Sequence, residues 1–218
     1  MKTHILCLGD SNTHGYCADP NDCADHGIRF NEEERWTCRL QKALGDEYLV
    51  TEEGLSGRTT VFVDPIHESM DALSVIYALL KSHEVIDLLI IMLGTNDVKE
   101  RFGANAACIA AGMERLILKA KSVDCWGTKQ PNILVVAPPP IGAGFHDAVM
   151  GDGCVEKICR CSRAAPHHLR AAGRALPGRK GLRVQQGGLH APDPQGPRTA
   201  GGAAGKRSAG PDLSRARF

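Results

Sequence analysis

Aromatic residues are scarce in this 218-residue chain, at 5%, and no apolar run approaches the ~20 residues that a membrane-spanning helix needs. A membrane-embedded protein is therefore not expected. Met1-Lys2-Thr3-His4 leads straight into an apolar stretch with no secretory leader in front of it, so the chain is read as cytoplasmic. Nine cysteines are present, at positions 7, 17, 23, 38, 108, 125, 154, 159 and 161, but no Cys-x-x-Cys pair, and Cys159-Arg160-Cys161 is too tight for a zinc knuckle. They are read as small core or surface residues, and no metal or organic cofactor is expected. Glutamate is missing altogether from residues 158–218. That segment holds 12 Lys+Arg against Asp193 and Asp212, whereas residues 1–157 hold 14 Lys+Arg against 23 Asp+Glu. The overall charge of +1 thus conceals a body at −9 and a tail at +10.

The body alternates between two hydrophobic periods. Lys2 to Leu8, Tyr48 to Glu53, Ile86 to Leu93 and Asn132 to Ala137 read as short strands, and the continuous apolar run Ile86-Asp87-Leu88-Leu89-Ile90-Ile91-Met92-Leu93 suits the buried centre of a parallel sheet. Between them, Glu32 to Gly45, Ser69 to His83 and Ala106 to Ala120 carry helical patterns, with acids at the start of the first and Gly45 at its end. Pro138-Pro139-Pro140 forms a stiff exit from the last strand. Strands alternating with helices predict βαβ units with right-handed crossovers and helices on both faces of the sheet.

Polar glycine turns follow three of these strands. They are Gly9-Asp10-Ser11-Asn12, Gly54-Leu55-Ser56-Gly57-Arg58-Thr59-Thr60 and Gly94-Thr95-Asn96-Asp97. All can gather on the C-terminal rim, where open α/β sheets bind their ligands. A serine at such a strand-to-helix turn stands beside unpaired backbone N–H groups that suit a developing negative charge, which makes Ser11 a candidate nucleophile. In isolation a plain polar turn with a helix cap is the better reading of the same stretch, and the rest of the chain reverses it.

Taken together and in this order, the three turns resemble the first three sequence blocks of the GDSL, or SGNH, hydrolases. The longer strings Glu52 to Thr60, Ile90 to Asp97 and Val135 to Pro140 are similar to the aryl-esterase and acyl-transferase (perhydrolase) branch, and the resemblance covers residues 2–157. It implies a three-layer α/β/α, flavodoxin-like parallel sheet. It also implies catalytic roles: Ser11 attacks an ester carbonyl, while the backbone N–H groups of Ser11 and Gly57 and the side-chain amide of Asn96 hold the oxyanion. The implied partner is a small-molecule ester, with no membrane and no cofactor. A homo-oligomer is compatible with the sequence.

The family draws its base from a late Asp-x-x-His, in which the aspartate orients the histidine that takes the serine proton. The chain is read as holding no Asp-x-x-His; His190-Ala191-Pro192-Asp193 has the two residues reversed. His14 is expected to share the Ser11 turn and point elsewhere, and His67, His83 and His146 are read as surface or loop residues. Residues 158–218, rich in Arg, Gly, Ala and Pro, have too little apolar pattern to offset their ordering entropy. A basic nucleic-acid arm would read this charge, but the segment lacks base-stacking aromatics and a regular repeat. Shifting the reading frame forward by one nucleotide changes what Gly188 to Asp193 can encode to Asp-x-Met-His-Leu-Thr, the missing block. The expectation is therefore an incomplete hydrolase domain over residues 1–157, lacking its last strand and helix, followed by a frame-shifted or disordered tail over 158–218. The alternative is a non-catalytic pseudo-enzyme that binds through the retained pocket and uses the basic tail for contacts.

Overall fold

A computed structural model describes residues 1–142, 145–151 and 153–158 of the chain. Four parallel strands form one sheet: β1 (Thr3–Gly9), β2 (Tyr48–Gly54), β3 (Leu88–Met92) and β4 (Ile133–Val135), in the spatial order β2-β1-β3-β4. This order begins the flavodoxin-like 2-1-3-4-5 arrangement. The register pairs Gly9 with Gly54 on one side and with Met92 on the other, so the ends of all three strands are level at one rim.

The sheet is covered on both faces. On one, Leu6 and Leu8 of β1 and Leu89 and Ile91 of β3 meet Ile76 and Leu80 of α3 (Ala72–Ser82) and Met113, Leu116, Ile117 and Ala120 of α4 (Ala106–Lys121). On the other, Ile5, Cys7, Leu88 and Ile90 meet Leu40 and Leu44 of α2 (Trp36–Leu44). Successive strand residues thus serve opposite layers, which is why β3 needs apolar side chains at every position. The result is the expected three-layer α/β/α sandwich. A third cluster, of Val98, Ala104, Ile109, Cys154 and Ile158, lies apart from the sheet, with Phe62 and Phe102 against it.

Some boundaries differ from the sequence pattern. The first long helix starts at Trp36 rather than Glu32, because the acids there have other partners: Glu34 receives the Ala24 N–H and Glu33 pairs with Lys42 at 2.6 Å. The helix α3 starts at Ala72 rather than Ser69, where the Asp71 side chain caps it by accepting the Ser74 N–H at 2.8 Å. The last strand is only three residues long, and β4 pairs with β3 alone among the described residues. Ile158, expected to open the tail, is buried and packs with Cys154. The rest of the tail, including Cys159, Cys161, His190 and Asp193, lies outside the described residues.

Candidate functional site

The three glycine turns occupy the rim as the sequence predicts. After β1, the Asp10 side chain accepts the Asn12 N–H at 2.9 Å and so caps the four-residue helix α1 (Ser11–His14). After β2, the Arg58 N–H donates to the Leu55 carbonyl at 3.0 Å and Gly57 has φ +95°, the backbone pattern of a type II turn with glycine at its third position. After β3, the chain passes through Gly94 into Thr95-Asn96-Asp97. Close approach of the first two turns depends on Gly54: a Cβ there would lie 2.2 Å from the His14 nitrogen.

Hydrogen bonds join the turns. The Leu55 N–H donates to the Gly9 carbonyl at 3.1 Å. The Asn12 amide donates to Thr95 Oγ1 at 3.1 Å. Asn96 Nδ2 donates to the Arg58 carbonyl at 3.1 Å, and the Arg58 guanidinium donates back to the carbonyls of Gly9, at 3.2 Å, and Glu53. Ser11, Gly57 and Asn96 therefore sit on adjoining, mutually fastened turns. The Ser11 and Gly57 N–H groups have no acceptor among the described residues, and only one hydrogen of the buried Asn96 amide is engaged. Three donors remain available at this rim.

Two fully buried carboxylates underlie these turns. Asp97 accepts the Thr60 N–H at 2.9 Å and the Thr60 hydroxyl through one oxygen, while its Oδ2 has no partner. Asp10 uses Oδ1 for Asn12, and its Oδ2 is likewise unpartnered. Burial pushes the Asp97 carboxyl up to about 6 against the Thr60 hydrogen bonds, and the nearby Asp10 charge adds to the rise; burial raises Asp10 too.

The histidines fall in different places. His14 ends α1, three residues from Ser11. His83, expected as a surface residue, is half-buried and pairs through Nε2 with Glu53 at 2.8 Å. His67 is exposed as expected, yet its Nδ1 lies 3.5 Å from Asp64 Oδ2. Asp64-Pro65-Ile66-His67 is itself an Asp-x-x-His, which corrects the reading that the chain holds none. Asp64 is buried and also receives Arg101 at 2.7 Å and the Ile66 N–H at 3.0 Å, contacts that together with His67 hold its carboxyl below the usual range against its burial. No hydrogen bond links His67 to the three turns, and none reaches Ser11 Oγ among the described residues. Likewise among the described residues, no group of three His, Cys, Asp or Glu side chains is arranged to hold a metal, and no helix is long and apolar enough to cross a membrane.

Residues 7–184 match the GDSL-like Lipase/Acylhydrolase family model. Among solved structures, the native aryl esterase of M. smegmatis is 36% identical with a TM-score of 0.66, over 75% of this chain and 77% of that one. Est24, a carbohydrate acetylesterase from Sinorhizobium meliloti, is 37% identical with a TM-score of 0.66, over 78% of this chain and 79% of that one. A carbohydrate acetylesterase family member from the same organism is 36% identical with a TM-score of 0.66, over 76% of each chain. No curated protein matches the chain.

Proposed function

The chain belongs to the GDSL-like lipase/acylhydrolase family, and on that premise we infer that it is a serine-dependent carboxylic ester hydrolase or acyl transferase acting on small esters. Ser11 Oγ attacks the ester carbonyl. The carbonyl oxygen, now negatively charged, is held by the Ser11 and Gly57 N–H groups and by the free hydrogen of Asn96 Nδ2. Expulsion of the alcohol leaves an acyl-serine, which water or another acceptor then releases. Two backbone donors and a neutral amide stabilise the tetrahedral intermediate without having to reorganise as its charge develops. The observation that carries this reading is the fastening of three donor-bearing turns at one sheet rim, with a donor left free on each.

The base is the weak component. A serine hydroxyl is a poor nucleophile until a neighbouring group takes its proton, and no partner reaches Ser11 Oγ among the described residues. A change of frame near codon 157 permits the late Asp-x-x-His, and on this reading the chain as written is a poor esterase, on the scale of the residual ~10³–10⁴-fold catalysis over water that binding and an oxyanion hole sustain without a triad. The test compares the chain as written with a version carrying one deleted nucleotide near codon 157, on a short-chain aryl ester. The repaired protein should gain turnover that Ser11→Ala abolishes. Full Ser11-dependent turnover by the unrepaired chain would refute the frame change; His67→Ala and His190→Ala would then identify its base. Ligand binding without turnover in either protein would favour the non-catalytic reading.

A further inference from the structure

Three buried cations are present among the described residues, Arg35, Arg58 and Lys99. Arg35 is engaged by Glu52 at 3.0 Å on α2's side of the sheet. Arg58, only 5% exposed, has no carboxylate within hydrogen-bonding distance; its guanidinium is spent on two main-chain carbonyls. Burial lowers its proton affinity, partly offset by the charges of Glu53 and Asp10. Burying a guanidinium merely to hold two carbonyls is costly, and the location of those carbonyls supplies a reason.

Gly9 is the last residue of β1 and leads through Asp10 to Ser11. Glu53 is next to the last residue of β2 and leads to the Gly57 turn. One terminal nitrogen of the guanidinium, Nη1, thus clamps the exits of the two strands that carry the nucleophile and the second donor. The main chain of the same residue does the rest. The Arg58 N–H closes the Leu55–Arg58 turn that gives Gly57 its positive φ, and the Arg58 carbonyl takes one hydrogen of Asn96 Nδ2. In a primary amide the two N–H directions are fixed relative to each other, so engaging one aims the other.

Building on the esterase reading above, we propose that Arg58 is the positioning residue of the oxyanion pocket: through its side chain, N–H and carbonyl it sets Ser11, Gly57 and Asn96 against one another. Lysine replaces it only in part, because its ammonium ends one atom short of Nη1 and its donors are not held in the guanidinium plane. Methionine fills similar space with neither charge nor donors.

The test uses the full chain with Arg58→Lys and Arg58→Met. The Asn96 side-chain amide is followed by ¹H–¹⁵N NMR, its resonance pair assigned by loss in Asn96→Ala, alongside steady-state hydrolysis of a short-chain aryl ester by the same variants of the frame-repaired chain. Arg58→Met should move the Asn96 pair toward the position of a solvated amide and lower kcat by about tenfold to a hundredfold with KM little changed, the scale of a misplaced transition-state donor. Arg58→Lys should fall between the two. Should Arg58→Met fail to fold, Arg58→Lys decides by the same two readouts. An Asn96 pair that stays in place in the folded variants, or a loss confined to KM, overturns the proposal. If the frame-repaired chain shows no Ser11-dependent turnover, the esterase reading fails by itself, and the NMR measurement still decides whether Arg58 orients Asn96.

Discussion

Stability should fall as pH rises through the weakly acidic range, and Asp97 should be a principal cause. In the unfolded chain this carboxyl loses its proton near pH 4; in the folded protein, burial and the neighbouring Asp10 hold the proton until about pH 6. Between those values the folded state binds more protons than the unfolded one, so linkage requires stability to decrease with increasing pH. Below this window both forms are protonated and the contribution is flat; above it both are ionised and the full cost remains. A displacement of ~2 pH units at ~1.4 kcal/mol each comes to about 3 kcal/mol. Asp97→Asn removes the titration while keeping an oxygen to accept the Thr60 N–H and hydroxyl. Urea unfolding of both proteins at about pH 4 and about pH 7.5 isolates the effect, because the depressed carboxyls of Glu52, Asp64 and Asp87 act in the opposite direction and equally in both. The stability of the parent relative to Asp97→Asn should decline by about 3 kcal/mol across that interval. A difference independent of pH, or one that grows with pH, would show that Asp97 is ionised in the folded protein like any surface carboxylate.

Two further outcomes are expected. In the frame-repaired chain Asn96→Ala should lower kcat by ~10²–10³, the usual cost of one oxyanion donor, as read by aryl-ester hydrolysis; a loss of less than about threefold would remove Asn96 from that role. Trypsin should cut the chain as written first between Arg160 and Arg217, leaving the buried Arg35 and Arg58 intact, and mass spectrometry of the early fragments checks the order; protection of that basic segment would mean that it packs.

The sheet was legible because its strands obey one simple constraint. Ile86 to Leu93 has almost no polar residue, which only burial on both faces accommodates, and β3 is buried at every position. The rim turns were legible for a related reason: a glycine-bearing polar cluster directly after such a strand has few places to go in a parallel sheet. Helix starts were harder. Glu32, Glu33 and Glu34 carry the charge that suits a first helical turn, but tertiary partners claimed two of them, and no local pattern encodes a competitor 10 residues away such as Ala24. The Asp64–His67 pair was plainly legible as an Asp-x-x-His and was overlooked, His67 being read as a loop residue with no motif around it. Arg58 offered no local clue at all, because its importance lies in carbonyls that only the folded sheet brings within its reach.

The strand order has a consequence for how this protein comes into being. The strand that leads into Ser11, β1, lies between β2 and β3, the strands that lead into Gly57's and Asn96's turns. All three are therefore encoded before residue 98, in the first half of the message. A ribosome has completed all three rim turns while the second half is still untranslated, so a lesion later in the gene leaves these turns untouched.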